Sequence, residues 1–184
     1  MATTNELLTA EQFAQLPPDG VPRELVQGEV IATNLPGARH GKICAAIARI
    51  LGNHVVERDC GHVMSNDAGV LTRRNPDSVR GPDVLYYSYQ RMPADAVPER
   101  YHHQTPELVF EVLSPDDRWA NVFAKVAEYL QANVLAVCVV DPDAETITVY
   151  TQSDAPQVYS RDDALHLPQV LPDWQPSVSS LLSR

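Results

Sequence analysis

Two acidic residues stand where a charge is hardest to place. In "PELVFEVLSP", residues 106–115, Glu111 interrupts a near-continuous apolar run of Leu108, Val109, Phe110, Val112 and Leu113, the pattern of a strand covered on both faces. Desolvating an unpaired carboxylate there costs more than a neighbouring Leu or Val returns by burial. Glu111 is therefore expected to be pKa-shifted, metal-bound or paired with an arginine. In "GPDVLYY", Asp83 opens a second apolar strand directly after Pro82; taken alone, an Asp in that place is a turn residue bonding its own backbone. Glu24, in "RELVQGE", reads alone as an exposed charge at a strand start. Together the three describe different chemistry. Carboxylates converging on one point repel one another unless a cation holds them, and oxygen-only ligands select Mg2+ or Mn2+. Such an ion, with open coordination positions, binds a phosphate oxygen and lowers the pKa of its bound water.

These residues need a scaffold, and the chain can build one. With 184 residues, 44 % of them hydrophobic, it suits one domain (residues 1–184) with a sizeable core. No apolar run reaches the ~18 residues of a membrane-spanning helix, and "MATTNELLTAEQFAQLPPDG" has no basic segment followed by a long apolar one, so no signal peptide is expected. Cys44, Cys60 and Cys138 are far apart and form no CxxC pair, which points to free buried thiols in a reducing cytoplasm. The formal charge of −10 argues against indiscriminate binding to nucleic acid. It does not exclude a nuclease, because a bound divalent cation reverses the local sign. Residues 73–103 hold five basic side chains against four acidic ones, either a solvated loop of mixed charge or a phosphate-facing edge.

The elements follow from periodicity and punctuation. Thr9 is a plausible N-cap, with Gln12 at the third helical position and Pro17-Pro18 as the stop. Gln27-Gly28 is placed as a tight turn between the apolar pairs Leu25-Val26 and Val30-Ile31. Ile43, Ile47, Ile50, Leu51 and His54 recur at helical spacing. Residues 61–71 and 82–87 read as strands, and 91–105 as a long irregular connection. After the Glu111 strand, Trp119, Val122, Phe123, Val126 and Leu130 mark a buried helical stripe that Asp116 or Asp117 could cap. A strand pair, "VLAVCVVDP" and "ETITVYT", is joined by "DPDA". The order predicts an α/β or α+β domain with a mixed central sheet flanked by helices.

The arrangement resembles the PD-(D/E)xK nuclease superfamily, in which an Asp and an acid-x-Lys triplet on the next strand form a metal site. Pro82-Asp83 looks like the first element and Glu111-Val112-Leu113 like the second, except that Leu113 stands where the lysine belongs. Side chains two apart on a strand share a face, so this strand cannot supply the lysine. "RELVQGEV", "RHGKI", "GPDV", "PELVFEVLSPDDRWANVFAKVAEYL" and "VVDP" with "ITVY" together resemble the Uma-type restriction endonuclease family, across roughly residues 20 to 152. Its members look like PD-(D/E)xK proteins whose lysine has moved to the following helix, which maps here to Lys125. With about 100° per residue and a stripe centred on Trp119, Lys125 lies about 120° away, on the helix flank beside Tyr129 and Asn121, from where a lysine can snorkel towards a site.

The resemblance implies a restriction-endonuclease-like core with extra β-hairpins and a Mg2+- or Mn2+-dependent endonuclease acting on double-stranded DNA. Asp83, Glu111 and the Val112 carbonyl would bind metal, and Lys125 would orient water. Glu24 would bind a second metal or an outer-shell water. His40, three residues before Ile43 on the apolar stripe, would contact phosphate or assist proton transfer; the ordinary explanation for such a histidine is a local hydrogen bond. His102-His103 is a weaker phosphate-contact candidate. A homodimer, one site per strand, is the implied assembly. The alternative is a nuclease-derived DNA-binding or assembly module with little catalysis, motivated by the acidic surface and the displaced lysine.

Overall fold

The computed structural model describes residues 7–182; residues 1–6, the start of the stretch read for a leader, and 183–184 lie outside the described part. Thr9 caps α1 (Ala10–Phe13) in a reciprocal capping box with Gln12. Gln27 and Gly28 adopt φ of 50° and 84°, the left-handed pair that a two-residue hairpin turn needs. They join β1 (Arg23–Val26) to β2 (Glu29–Ala32), with Val26 opposite Glu29. The long helix α2 (Ala38–Arg58) buries Ile43, Ala46, Ile47, Leu51 and Val55.

The expected strand at 61–71 is two strands, β3 (Gly61–Ser65) and β4 (Val70–Arg73), separated by Asn66 and Asp67 in the left-handed region. The polar stretch after β4 contains a further strand, β5 (Ser78–Arg80), fully buried despite its composition. Next come β6 (Val84–Ser88) and, beyond the irregular 91–105 segment, β7 (Leu108–Val112). Helix α3 (Trp119–Gln131) crosses from β7 to its parallel neighbour β8 (Ala136–Asp141). Asp117 accepts the Ser114 N–H instead of capping α3, whose N-cap is Arg118. The turn to β9 (Thr146–Tyr150) is held by Asp141 Oδ1, which accepts the N–H groups of Asp143 and Ala144. A strand not foreseen, β10 (Gln157–Ser160), and the short α4 (Val178–Leu181) complete the chain.

The fold is mixed α and β, as expected. A six-stranded sheet, β10-β9-β8-β7-β6-β3, is antiparallel except at β7–β8; a four-stranded sheet, β2-β1-β5-β4, stands beside it. One face of the large sheet packs Tyr86, Phe110, Val112, Cys138 and Val140 against α2 and the C-terminal segment. The other packs Leu85, Val109, Val137 and Val139 against Val122, Val126 and Tyr129 of α3. Two helices thus clamp β7, the strand that carries Glu111. The three cysteines are free, with Cys138 alone fully buried, and no helix among the described residues is long and apolar enough to cross a membrane.

Candidate active site

Strand alternation aims Glu111 at α3, with Val109 and Leu113 on the same face. The antiparallel register pairs Val84 with Phe110, and continuing it by one residue sets Asp83 beside Glu111. One Asp83 oxygen, Oδ2, accepts the Val112 N–H at 2.7 Å. A strand residue points its N–H and C=O to the same side, so the Val112 carbonyl also faces this edge. There the continued register offers Pro82, which has no N–H to give.

Lys125 reaches this point from α3. Its Nζ donates to Glu111 Oε2 at 3.4 Å and pairs with Glu24 Oε1 at 3.0 Å. Trp119 and Phe123 are about half exposed, their rings tilted against each other with centroids 5.5 Å apart, so the buried stripe is not centred on Trp119. The inward face of α3 is Val122, Val126 and Tyr129. Lys125 lies about 65° from its mean direction, which puts it on the sheet side. Tyr129, expected beside it on the flank, is fully buried and donates its hydroxyl to Glu111 Oε1 at 2.7 Å.

The arginine considered for Glu111 belongs to another acid. Arg80, at the end of β5, pairs with Glu24 at 3.0 Å and with Glu128 of α3 through Nε at 2.9 Å. Glu24 is buried, not exposed, and also accepts the Gly81 N–H at 3.1 Å. Thr72 donates to the other Glu128 oxygen. His40, near the start of α2, places Nε2 3.3 Å from Asp83 Oδ1 and its other ring nitrogen 3.4 Å from the Cys44 thiol. Sequence reasoning missed Asp67, carried into the same space by the β3–β4 turn. A Cβ on Gly81 would lie 2.9 Å from the Asp67 Cβ, so glycine permits this approach. His102 is not at the site: it is buried, edge-on to Tyr87 at 5.5 Å, and takes the Gln104 N–H on Nδ1.

The electrostatics follow from this crowding. Burial pushes the Glu111 carboxyl up to about 7, against the opposing pull of Lys125, and the Asp83 charge adds to the rise. The bond to Asp83, with help from Cys44, raises His40 to about 10, so its imidazole is protonated at neutral pH. For Lys125 burial works against the charge, but Glu111 and Glu24 outweigh it and hold the ammonium protonated. Burial also opposes charge on Glu24, yet Lys125 and Arg80 bring its carboxyl below the ordinary value. Burial and the charge of Asp83 raise Asp67. Five acids (Glu24, Asp67, Asp83, Glu111, Glu128) face three cations (His40, Arg80, Lys125), an excess of two negative charges when all are ionised. Among the described residues, one group that combines histidine, cysteine and carboxylate at metal-binding proximity is His40, Cys44 and Asp83.

A mixed sheet with helices on both faces and acids gathered at the end of its central strands defines a nuclease-like fold. The crystal structure of "a putative nuclease belonging to DUF820 from Anabaena variabilis ATCC 29413" matches it with a TM-score of 0.82 at 20 % identity, over 95 % of this chain and 97 % of that one. The family is shown by the sequence itself: residues 10–181 match the Uma2 family, described as "Putative restriction endonuclease", and the chain belongs to that family. No curated protein matches it.

Proposed function

We infer that this protein is a Mg2+- or Mn2+-dependent DNA endonuclease of the PD-(D/E)xK type whose lysine is supplied by α3. The observation that carries the reading is Lys125 Nζ, 3.4 Å from Glu111 and 3.0 Å from Glu24, beside a strand that bears Leu113 in the usual lysine place. The donor set suits a hard divalent cation: carboxylate oxygens, a backbone carbonyl whose register neighbour Pro82 has no N–H, and acids that outnumber the cations by two when all are ionised. Asp83, Glu111 and the Val112 carbonyl would hold the ion. When bound, such an ion supplies Lewis-acid polarisation of the phosphate and an acidified water.

The chain's own residues do the rest. Lys125 keeps its proton, so it acts as a fixed positive donor that orients the attacking water and stabilises charge growing on the phosphoryl oxygens. Glu24 is already engaged by Arg80, Gly81 and Lys125, which favours holding the ammonium in place over the metal-ligand role the resemblance suggested. Tyr129 fixes the Glu111 carboxylate from the opposite side. His40, protonated and pointed at Asp83, is a phosphate contact and not a base. The substrate is duplex DNA, cut by a cytoplasmic homodimer of one restriction-endonuclease-like domain per chain.

The test is cleavage of supercoiled plasmid in Mg2+ or Mn2+ by the wild type beside Asp83→Ala and Glu111→Ala. Cleavage by the wild type alone is expected. A wild type that neither cuts nor binds Mn2+ by calorimetry contradicts the reading and leaves a non-catalytic module.

A further inference from the structure

Cys44 has no part in the hydrolysis inferred above, yet it stands against His40, which in turn faces Asp83. Cys44 follows His40 by four residues on α2, so the two side chains share a helix face, and their Sγ and Nδ1 atoms lie 3.4 Å apart. The same imidazole has Nε2 3.3 Å from Asp83 Oδ1. One ligand atom from each of the three residues lies within 4.8 Å of the others. We propose that His40, Cys44 and Asp83 form a soft-metal site that takes Zn2+, and that Zn2+ bound there inhibits the nuclease by withdrawing Asp83 from the hard-ion site. The inhibitory half rests on the function inferred above; the binding half stands without it.

The donor chemistry separates the two sites. Thiolate, imidazole and carboxylate together suit Zn2+, whereas sulfur is a poor ligand for Mg2+. One ligand atom of each residue already lies within 4.8 Å of the others, and Zn–N and Zn–O near about 2.0–2.1 Å with Zn–S near about 2.3 Å require these spacings to close. Thiol and carboxylate now face opposite nitrogens of one ring, so coordination requires the imidazole to turn until one nitrogen serves the ion. Binding releases the thiol proton and the imidazolium proton to solvent. Three protein ligands leave a fourth position for water, and Asp67 adds negative charge that acts on both Cys44 and His40. Asp83 sets up the competition: Oδ2 already accepts the Val112 N–H and Oδ1 faces His40, so turning this one carboxylate to Zn2+ takes it from the hard ion. The other thiols do not compete, since Cys138 is sealed in the core and Cys60 is turned to the Val55 carbonyl.

Co2+ is the probe, because a thiolate bound to it absorbs in the near ultraviolet with no DNA or Mg2+ present. Titration of the reduced, metal-free protein is expected to give a band saturating at one ion per chain. Zn2+ displaces it, Glu111→Ala keeps it, and Cys44→Ser and His40→Ala lose it with unchanged far-ultraviolet circular dichroism. In Mn2+-driven cleavage, Zn2+ inhibits the wild type; Cys44→Ser, normalised to its own uninhibited rate, needs at least about tenfold more Zn2+, since even outer-shell partners are worth that much in metal affinity. No thiolate band in the wild type, or a band that survives Cys44→Ser, overturns the site. A saturating band in a protein that cuts nothing overturns the nuclease reading and the inhibitory role, but keeps the site. Mn2+-dependent cleavage without the band, and indifferent to Zn2+, does the reverse.

Discussion

Replacing Lys125 by alanine separates its structural part from its chemical one. Its side chain is 26 % exposed, and its removal does not strand either carboxylate completely. Glu24 keeps Arg80 at 3.0 Å and the Gly81 N–H at 3.1 Å. Glu111 keeps the Tyr129 hydroxyl and, already pushed up to about 7, can take a proton instead of standing charged and unpaired. The penalty therefore falls below the ~3–5 kcal/mol of breaking an isolated buried pair. About 1–2 kcal/mol remains, or a Tm lowered by roughly 2–8 °C in a chain of this size. The chemical loss is larger. Removing one preorganised donor from a developing oxyanion costs about 10²–10³ in rate. Single-turnover plasmid nicking in saturating Mn2+, with a thermal melt of the same preparation, measures both. Lys125→Ala that stays folded and cuts within about tenfold of the wild type refutes the assignment, since a lost donor of this kind is worth more. So does a loss of cleavage accompanied by collapse of the melt.

Three further outcomes bear on the same site. In the double variant Leu113→Lys with Lys125→Ala, the new lysine shares the strand face of Glu111, and cleavage is expected to recover at least about tenfold over Lys125→Ala alone, a fraction of what the donor supplies. Because burial raises Glu111 from 4.5 to about 7, the fold favours the protonated carboxyl. The metal-free protein has that stabilisation in full below 4.5 and loses it as pH rises through about 7; melts across this window should show a falling Tm that Glu111→Gln abolishes, while Mn2+ affinity by calorimetry rises as the proton leaves. Tyr129→Phe removes the 2.7 Å hydroxyl donor to Glu111; thermal melts should show a loss of about 1 kcal/mol, or roughly 2–4 °C in Tm, and weaker Mn2+ binding.

Much of this was legible in the residues, for identifiable reasons. Thr9 with Gln12, and Gln27 with Gly28, are local devices whose geometry depends on nearest neighbours, and both form as read. Glu111 and Asp83 stood out because a charge in an apolar strand has few physical explanations, and the register does bring them together. What was hidden depends on tertiary packing. Trp119 and Phe123 look like a core stripe but are exposed, whereas Tyr129, read as flank, is fully buried because its hydroxyl has a carboxylate to meet. β5 is polar in sequence yet buried, since Arg80 finds Glu24 and Glu128 across two other elements. Asp67 carried no signal beyond a turn-forming Asn-Asp pair, and only the fold shows the turn aimed at the site.

The most direct measurement is a crystal structure grown with Mn2+, with anomalous scattering used to place the ion. The account predicts one peak with an Asp83 oxygen, a Glu111 oxygen and the Val112 carbonyl each at about 2.1–2.2 Å, and Lys125 Nζ still within hydrogen-bonding reach of Glu111. A peak that omits Glu111, or no peak at concentrations that support cleavage, contradicts it.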